Sequence, residues 1–133
     1  MRLHHVGIVV DDIERHGASF AKELNLRPLS AIVADPIQRV RVQFWGDGYG
    51  VSLELIQPTA DDSPVQRFLK TGGGLNHLCF EVEDIDAAVE QARESGAICV
   101  SGPVAAAACD GRRIAFLFLR DIGLVEFKEA LAR

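Results

Sequence analysis

The sequence predicts an α+β fold made of two tandem βαβββ modules, and three observations carry that expectation. Shifted by 72 residues, the offset that separates His5 from His77 and Glu54 from Glu126, the chain falls on itself. Each half opens with an apolar, β-branched run, followed by a helical stripe that begins at an aspartate. Each half then continues with short alternating runs punctuated by Gly, Pro and Asp, the pattern of antiparallel strands and turns.

In the first module, Leu3–Val10 reads as a strand. Asp11-Asp12 supplies carboxylates that accept free amide protons and favour the positive end of a helix dipole. The stripe Ile13, Ala18, Phe20, Ala21 and Leu24 predicts a helix over 13–24. Strands are expected over Leu26–Val33, Arg39–Trp45 and Val51–Gln57, with turns at Asp35-Pro36 and Gly46–Gly50. Residues 59–74 form a connector in which Ser63 is expected to cap a short helix with Pro64 at its first position, ended by Gly72-Gly73-Gly74. The second module repeats the order: a strand at Leu75–Val82, a helix over 84–95 capped by Asp84 and stopped by Gly96, and strands at Ala97–Val104, Arg112–Leu119 and Leu124–Lys128. Pro103 blurs the end of the first of these strands. One module would leave a sheet face open, so the expected unit is a single domain over 1–133, with module one at 1–58 and module two at 75–133.

Composition narrows the function. A chain of 133 residues with net charge −5 and scattered basic residues lacks the footprint of a nucleic-acid binder. No apolar run approaches the roughly 18–20 residues that span a bilayer, and Met1–His5 does not read as a signal peptide. The expectation is a cytoplasmic protein without nucleic-acid or membrane partners. Cys79, Cys99 and Cys109 are odd in number and lack C-x-x-C spacing, which disfavours disulfides and thiolate metal sites. Cys79 fits a small buried residue within a strand. There is no G-x-S-x-G elbow, the Gly72–Gly74 run lacks a P-loop lysine, and Asp61-Asp62 reads as a solvated loop end.

The candidate chemistry lies in the repeat. Of His4, His5, His16 and His77, only His5 and His77 share a register. His4 points to the opposite face of its strand from His5. Glu54 and Glu126 each alternate with apolar neighbours, Leu53 and Leu55 or Val125 and Phe127. On a solvated face such a glutamate simply points to water. On the inside of a curved sheet it would cost several kcal/mol unless a cation or hydrogen bonds compensated it. Two imidazoles and two carboxylates suit one divalent ion, Zn, Ni, Co, Mn or Fe(II). Arg41 and Arg113 also coincide, as do Phe44 and Phe116. The phenylalanines read as core; strand arginines are ordinarily exposed, and one at a site mouth could steer a carboxylate or phosphate.

These residues resemble the vicinal oxygen chelate superfamily, which includes glyoxalase I, methylmalonyl-CoA epimerases, extradiol dioxygenases and bleomycin-resistance proteins. The resemblance implies a cup-like, curved mixed sheet around a metal. Leu3–Val10 resembles the opening strand of the family and Leu53–Pro58 the strand of the second ligand. Gly73–Val82 and Gly123–Phe127 resemble their counterparts, which assigns the metal to His5, Glu54, His77 and Glu126. The connector Asp62–Leu69 is similar to that of the epimerases, whereas Phe118–Gly123 departs from their His-Pro-Lys turn. The implied activity is proton transfer next to a carbonyl through a metal-stabilised enolate. The implied substrate is a small carbonyl compound such as an acyl-CoA thioester, with Glu54 and Glu126 as candidate bases and a homodimer as the assembly. A glyoxalase I-like lyase, a dioxygenase and a non-catalytic binding or resistance protein are the alternatives on the same fold.

Overall fold

The computed structural model describes residues 1–131, and their chain falls into two compact units. One unit is His5–Asn76; the other joins Met1–His4 to the chain from His77 onward. Each follows the expected module order.

Strand β1 (Arg2–Val9), which enters the first unit at His5, leads into helix α1 (Ile13–Leu24), as the apolar stripe predicts. Asp12 supplies the cap, its Oδ1 accepting the Arg15 amide at 3.0 Å. That bond holds the Asp12 carboxyl below its ordinary pKa. Gln57 Oε1 accepts the Ile13 amide at 3.0 Å, so a strand side chain satisfies another free donor of the first turn. Asn25 ends the helix in the left-handed region, where its short polar side chain is tolerated.

The remaining strands are β2 (Arg27–Pro28), β3 (Val33–Asp35), β4 (Val40–Gly46) and β5 (Ser52–Pro58), in the order β2-β4-β5-β1 with β3 beside β4. The single strand expected over Leu26–Val33 is in fact two short pieces, β2 and β3, both paired with β4. Pro28 has no amide proton to extend the ladder, and Ser30 turns inward, its hydroxyl accepting the Phe44 amide at 3.0 Å. β5 pairs in parallel with β1 and antiparallel with β4. On one face of this sheet Val10, Trp45 and Leu55 pack with Ile13 of α1. Gly17 of α1 makes that contact possible, because a Cβ there would come within 2.6 Å of Trp45 Cζ2.

The connector corrects a second expectation. Helix α2 spans Gln66–Lys70, and Ser63 and Pro64 lie in the turn ahead of it. The Ser63 carbonyl accepts the Gln66 amide at 3.0 Å, and no side chain caps the helix. Asp61 and Asp62 are exposed, as expected of a loop end.

In the second unit, β6 (Gly74–Val82) leads to helix α3 (Ile85–Glu94), capped by Asp84 through the Ala87 amide at 2.9 Å. Strands β7 (Ile98–Ala105), β8 (Arg113–Leu119) and β9 (Gly123–Glu129) follow, giving the order β6-β9-β8-β7. A single 3-10 turn, Ala107–Cys109, which the sequence did not suggest, precedes β8. β7 continues through Pro103 by slipping register against β8, with a cis Gly102–Pro103 bond. Gly102 is required there: its φ is +82°, and a Cβ would strike the Ile114 carbonyl. Val82, Ile85, Val89, Ala115, Leu117, Val125 and Phe127 form the core between α3 and one face of the sheet. Cys79 is fully buried, as its strand pattern implied.

Candidate metal centre

Each unit presents one His–Glu pair on the sheet face opposite its helix. In the first, Leu55 packs toward α1, so alternation turns Glu54 to the other face. There Glu54 Oε1 lies 3.3 Å from His5 Nε2. Phe44 faces Glu54 across the β4–β5 ladder and sets its ring edge-on to the imidazole, with centroids 5.1 Å apart. In the second, Val125 and Phe127 pack toward α3 and Glu126 turns away. Glu126 Oε1 lies 3.1 Å from His77 Nε2, and Phe116, opposite Glu126 on β8, meets the imidazole edge-on at 5.3 Å. The two arrangements match atom for atom at the 72-residue offset.

Burial decides between the two readings of the glutamates. Glu54 is 7% exposed and Glu126 4%, and both histidines are buried. These are not solvated residues on a wet sheet face. A carboxylate so desolvated needs a compensating charge or several donors, and each has an imidazole nitrogen at hand. Neutral imidazole nitrogen with carboxylate oxygen is a donor set for a borderline-to-hard divalent ion. Phe44 and Phe116 are therefore packing partners of the candidate ligands, half-buried on the same face.

The other expected candidates have structural roles. Arg41 hydrogen-bonds Glu14 of α1, and its Nη1 lies 3.5 Å from Gln57 Oε1. Arg113 binds Asp86 of α3 and Glu129 of β9, each at 2.9 Å. Glu14 and Asp86 stand 72 residues apart, as do Gln57 and Glu129. The repeated arginines thus tie each helix to its sheet. Arg41 holds the Glu14 carboxyl below its ordinary pKa, and the two carboxylates push the Arg113 guanidinium up. His16 Nδ1 donates to the Asp12 carbonyl at 2.9 Å, inside the first turn of α1.

One contact had no signal in the sequence. Lys128 is buried on β9, on the same face as Glu126, and its Nζ donates to His4 Nε2 at 3.1 Å. Arg2 reaches Glu81 at 3.1 Å in the same unit. Only a folded chain could show this, because His4 and Lys128 share neither register nor motif.

Comparison with known proteins shows the family and the fold. Residues 4–116 match the family described as the glyoxalase/bleomycin resistance protein/dioxygenase superfamily. The chain is 36% identical to human mitochondrial methylmalonyl-CoA epimerase over 133 residues, covering 97% of this chain and 74% of that protein. It is 33% identical to the ethylmalonyl-CoA/methylmalonyl-CoA epimerase of Cereibacter sphaeroides, covering 96% and 97%. A variant of the Streptomyces coelicolor methylmalonyl-CoA epimerase, solved in complex with 2-nitronate-propionyl-CoA, superposes with a TM-score of 0.85 at 26% identity over 99% of both chains. The fold is the mixed α+β fold of these epimerases, and the chain belongs to the glyoxalase/bleomycin resistance protein/dioxygenase superfamily as an epimerase-like isomerase.

Proposed function

We propose that the protein epimerises a 2-substituted acyl-CoA thioester by moving the proton on the carbon next to the thioester carbonyl, and that it depends on one divalent ion held by His5, Glu54, His77 and Glu126. The observation that carries the proposal is the pair of buried, equivalent His–Glu half-sites. Support for the thioester comes from the epimerase relatives and from the CoA ligand bound to the Streptomyces protein.

When bound, the ion supplies fixed positive charge where the substrate carbonyl oxygen becomes negative. The protein's own groups do the rest. His5 and His77, wedged by Phe44 and Phe116, present ring nitrogens in a set orientation. Glu54 and Glu126 are the candidate bases, either of which would accept the proton at Oε and return it. Their burial shields both carboxylates from bulk water.

The test is solvent deuterium incorporation at the α-carbon of an acyl-CoA substrate, measured with the protein reconstituted with Zn, Ni, Co or Mn. Glu54→Gln and Glu126→Gln are each expected to lower exchange by about 100-fold or more. Full exchange in both variants, or exchange indifferent to chelation, overturns the assignment.

A further inference from the structure

The two half-sites are equivalent, so they cannot tell one end of a substrate from the other. A thioester is not symmetric, and residues that differ between the modules must orient it. One difference lies immediately beside the second half-site. On β8 and β9 the rung Phe116–Glu126 is followed, two residues along each strand and on the same face, by the rung Phe118–Leu124. That places it about 7 Å further along the sheet. Ile98 of β7 pairs with Phe118 and extends the rung to a third strand. At the 72-residue offset, the first module has Gly46 and Ser52 where the second has Phe118 and Leu124.

This rung is apolar yet open. Phe118 is 47% exposed and Ile98 65%, while the opposite face of the same strands is filled by Ala115, Leu117 and Val125 under α3. An antiparallel sheet with one packed face ordinarily carries polar side chains on the other. A contiguous exposed apolar surface marks something that covers it. Its continuity with the Phe116–Glu126 rung, beside His77, favours a ligand that also occupies that site.

Resting on the thioester reading above, we propose that Phe118, Leu124 and Ile98 form the wall that takes the carrier arm of the acyl thioester. The wall fixes which end of the substrate lies over the second module. The arm of a CoA thioester is long, uncharged near the sulfur and partly apolar. It suits a surface of one aromatic and two aliphatic side chains.

Phe118→Ser, Ile98→Ser and the double variant test the wall against two substrates with the same acyl group, one on CoA and one on N-acetylcysteamine, which lacks most of the arm. The double variant should raise KM for the CoA thioester about 10–100-fold, with kcat within about threefold. KM for the short thioester should stay unchanged. Each single variant should show part of the effect, so a misfolded double variant, recognised by its thermal melt, leaves the singles to decide. An unchanged KM for the CoA thioester overturns the wall. So does an equal loss on both substrates, or dissociation of a dimer with KM intact, which would assign this face to a second copy. A wild-type protein that exchanges no acyl thioester at all overturns the thioester reading itself, which separates that failure from a failure of the wall.

Discussion

Where helix meets sheet, the two modules divide the packed volume differently. In the first, the bulk sits on the strand: Trp45 fills the space that Gly17 leaves on α1, with Phe20 edge-on at a centroid distance of 6.0 Å. In the second, 72 residues further on, Leu117 and Val89 share the same space more evenly and belong to one core cluster. A core constrains the total volume and leaves its division between partners free. Much of the polar chemistry drifts less. The His–Glu pairs, the Asp12 and Asp84 caps and the arginine ties all recur in register. Hydrogen bonds and charges fix distances and directions as well as volumes.

The equivalence of the half-sites can be broken most forcefully at the histidines. His5→Ala and His77→Ala should each weaken divalent-ion affinity by roughly 100-fold or more, since loss of a mere supporting contact costs about 10–100-fold. Titration calorimetry with Zn or Ni reads both. A large loss in one variant and none in the other would mean that the modules contribute unequally.

The packing contrast gives a second, smaller effect. Trp45→Leu removes buried volume and should cost about 2–4 kcal/mol. Gly17→Val forces a side chain against Trp45 and should cost about 1–3 kcal/mol. Combined, they transplant the Leu–Val pair of the second module, and urea unfolding should show a recovery of at least about 1 kcal/mol over additivity. Strict additivity would mean that the two positions do not share one space.

The arginine ties should matter least. Arg113→Met, which strands two carboxylates, should lower the urea midpoint more than Arg41→Met, which strands one; the reverse order would count against the repeated tie. The Glu14 carboxyl, held below its ordinary value of 4.5, adds stability that is complete above that value and is lost as pH falls through its folded pKa. Glu14→Gln should therefore flatten the acid side of the stability curve below about pH 4.5 and leave its shape near pH 7 unchanged.

Local rules made much of this legible from the residues. The helix over 13–24 and both aspartate caps follow from periodicity and from side chains that bond the nearest free amide. The half-site residues were legible because duplication singled out His5 over His4. Other features depend on distant partners. Pro64 lies in a turn closed by the Ser63 carbonyl and the Gln66 amide, and the helix starts only at Gln66. β7 runs past Pro103 only because Gly102 can approach the Ile114 carbonyl. The Lys128–His4 bond joins residues at opposite ends of the chain, where neither spacing nor alternation gives a signal.

The chain changes unit between His4 and His5, and again between Asn76 and His77. Each candidate ligand histidine is thus the first residue after a changeover. Cutting the backbone within residues 59–74 would therefore not yield two autonomous halves. The C-terminal fragment would lack Met1–His4, and with them His4 beside Lys128 and Arg2 beside Glu81. Those four residues would hang from the N-terminal fragment as an overhang. Two such fragments should regain the native state by complementation when mixed.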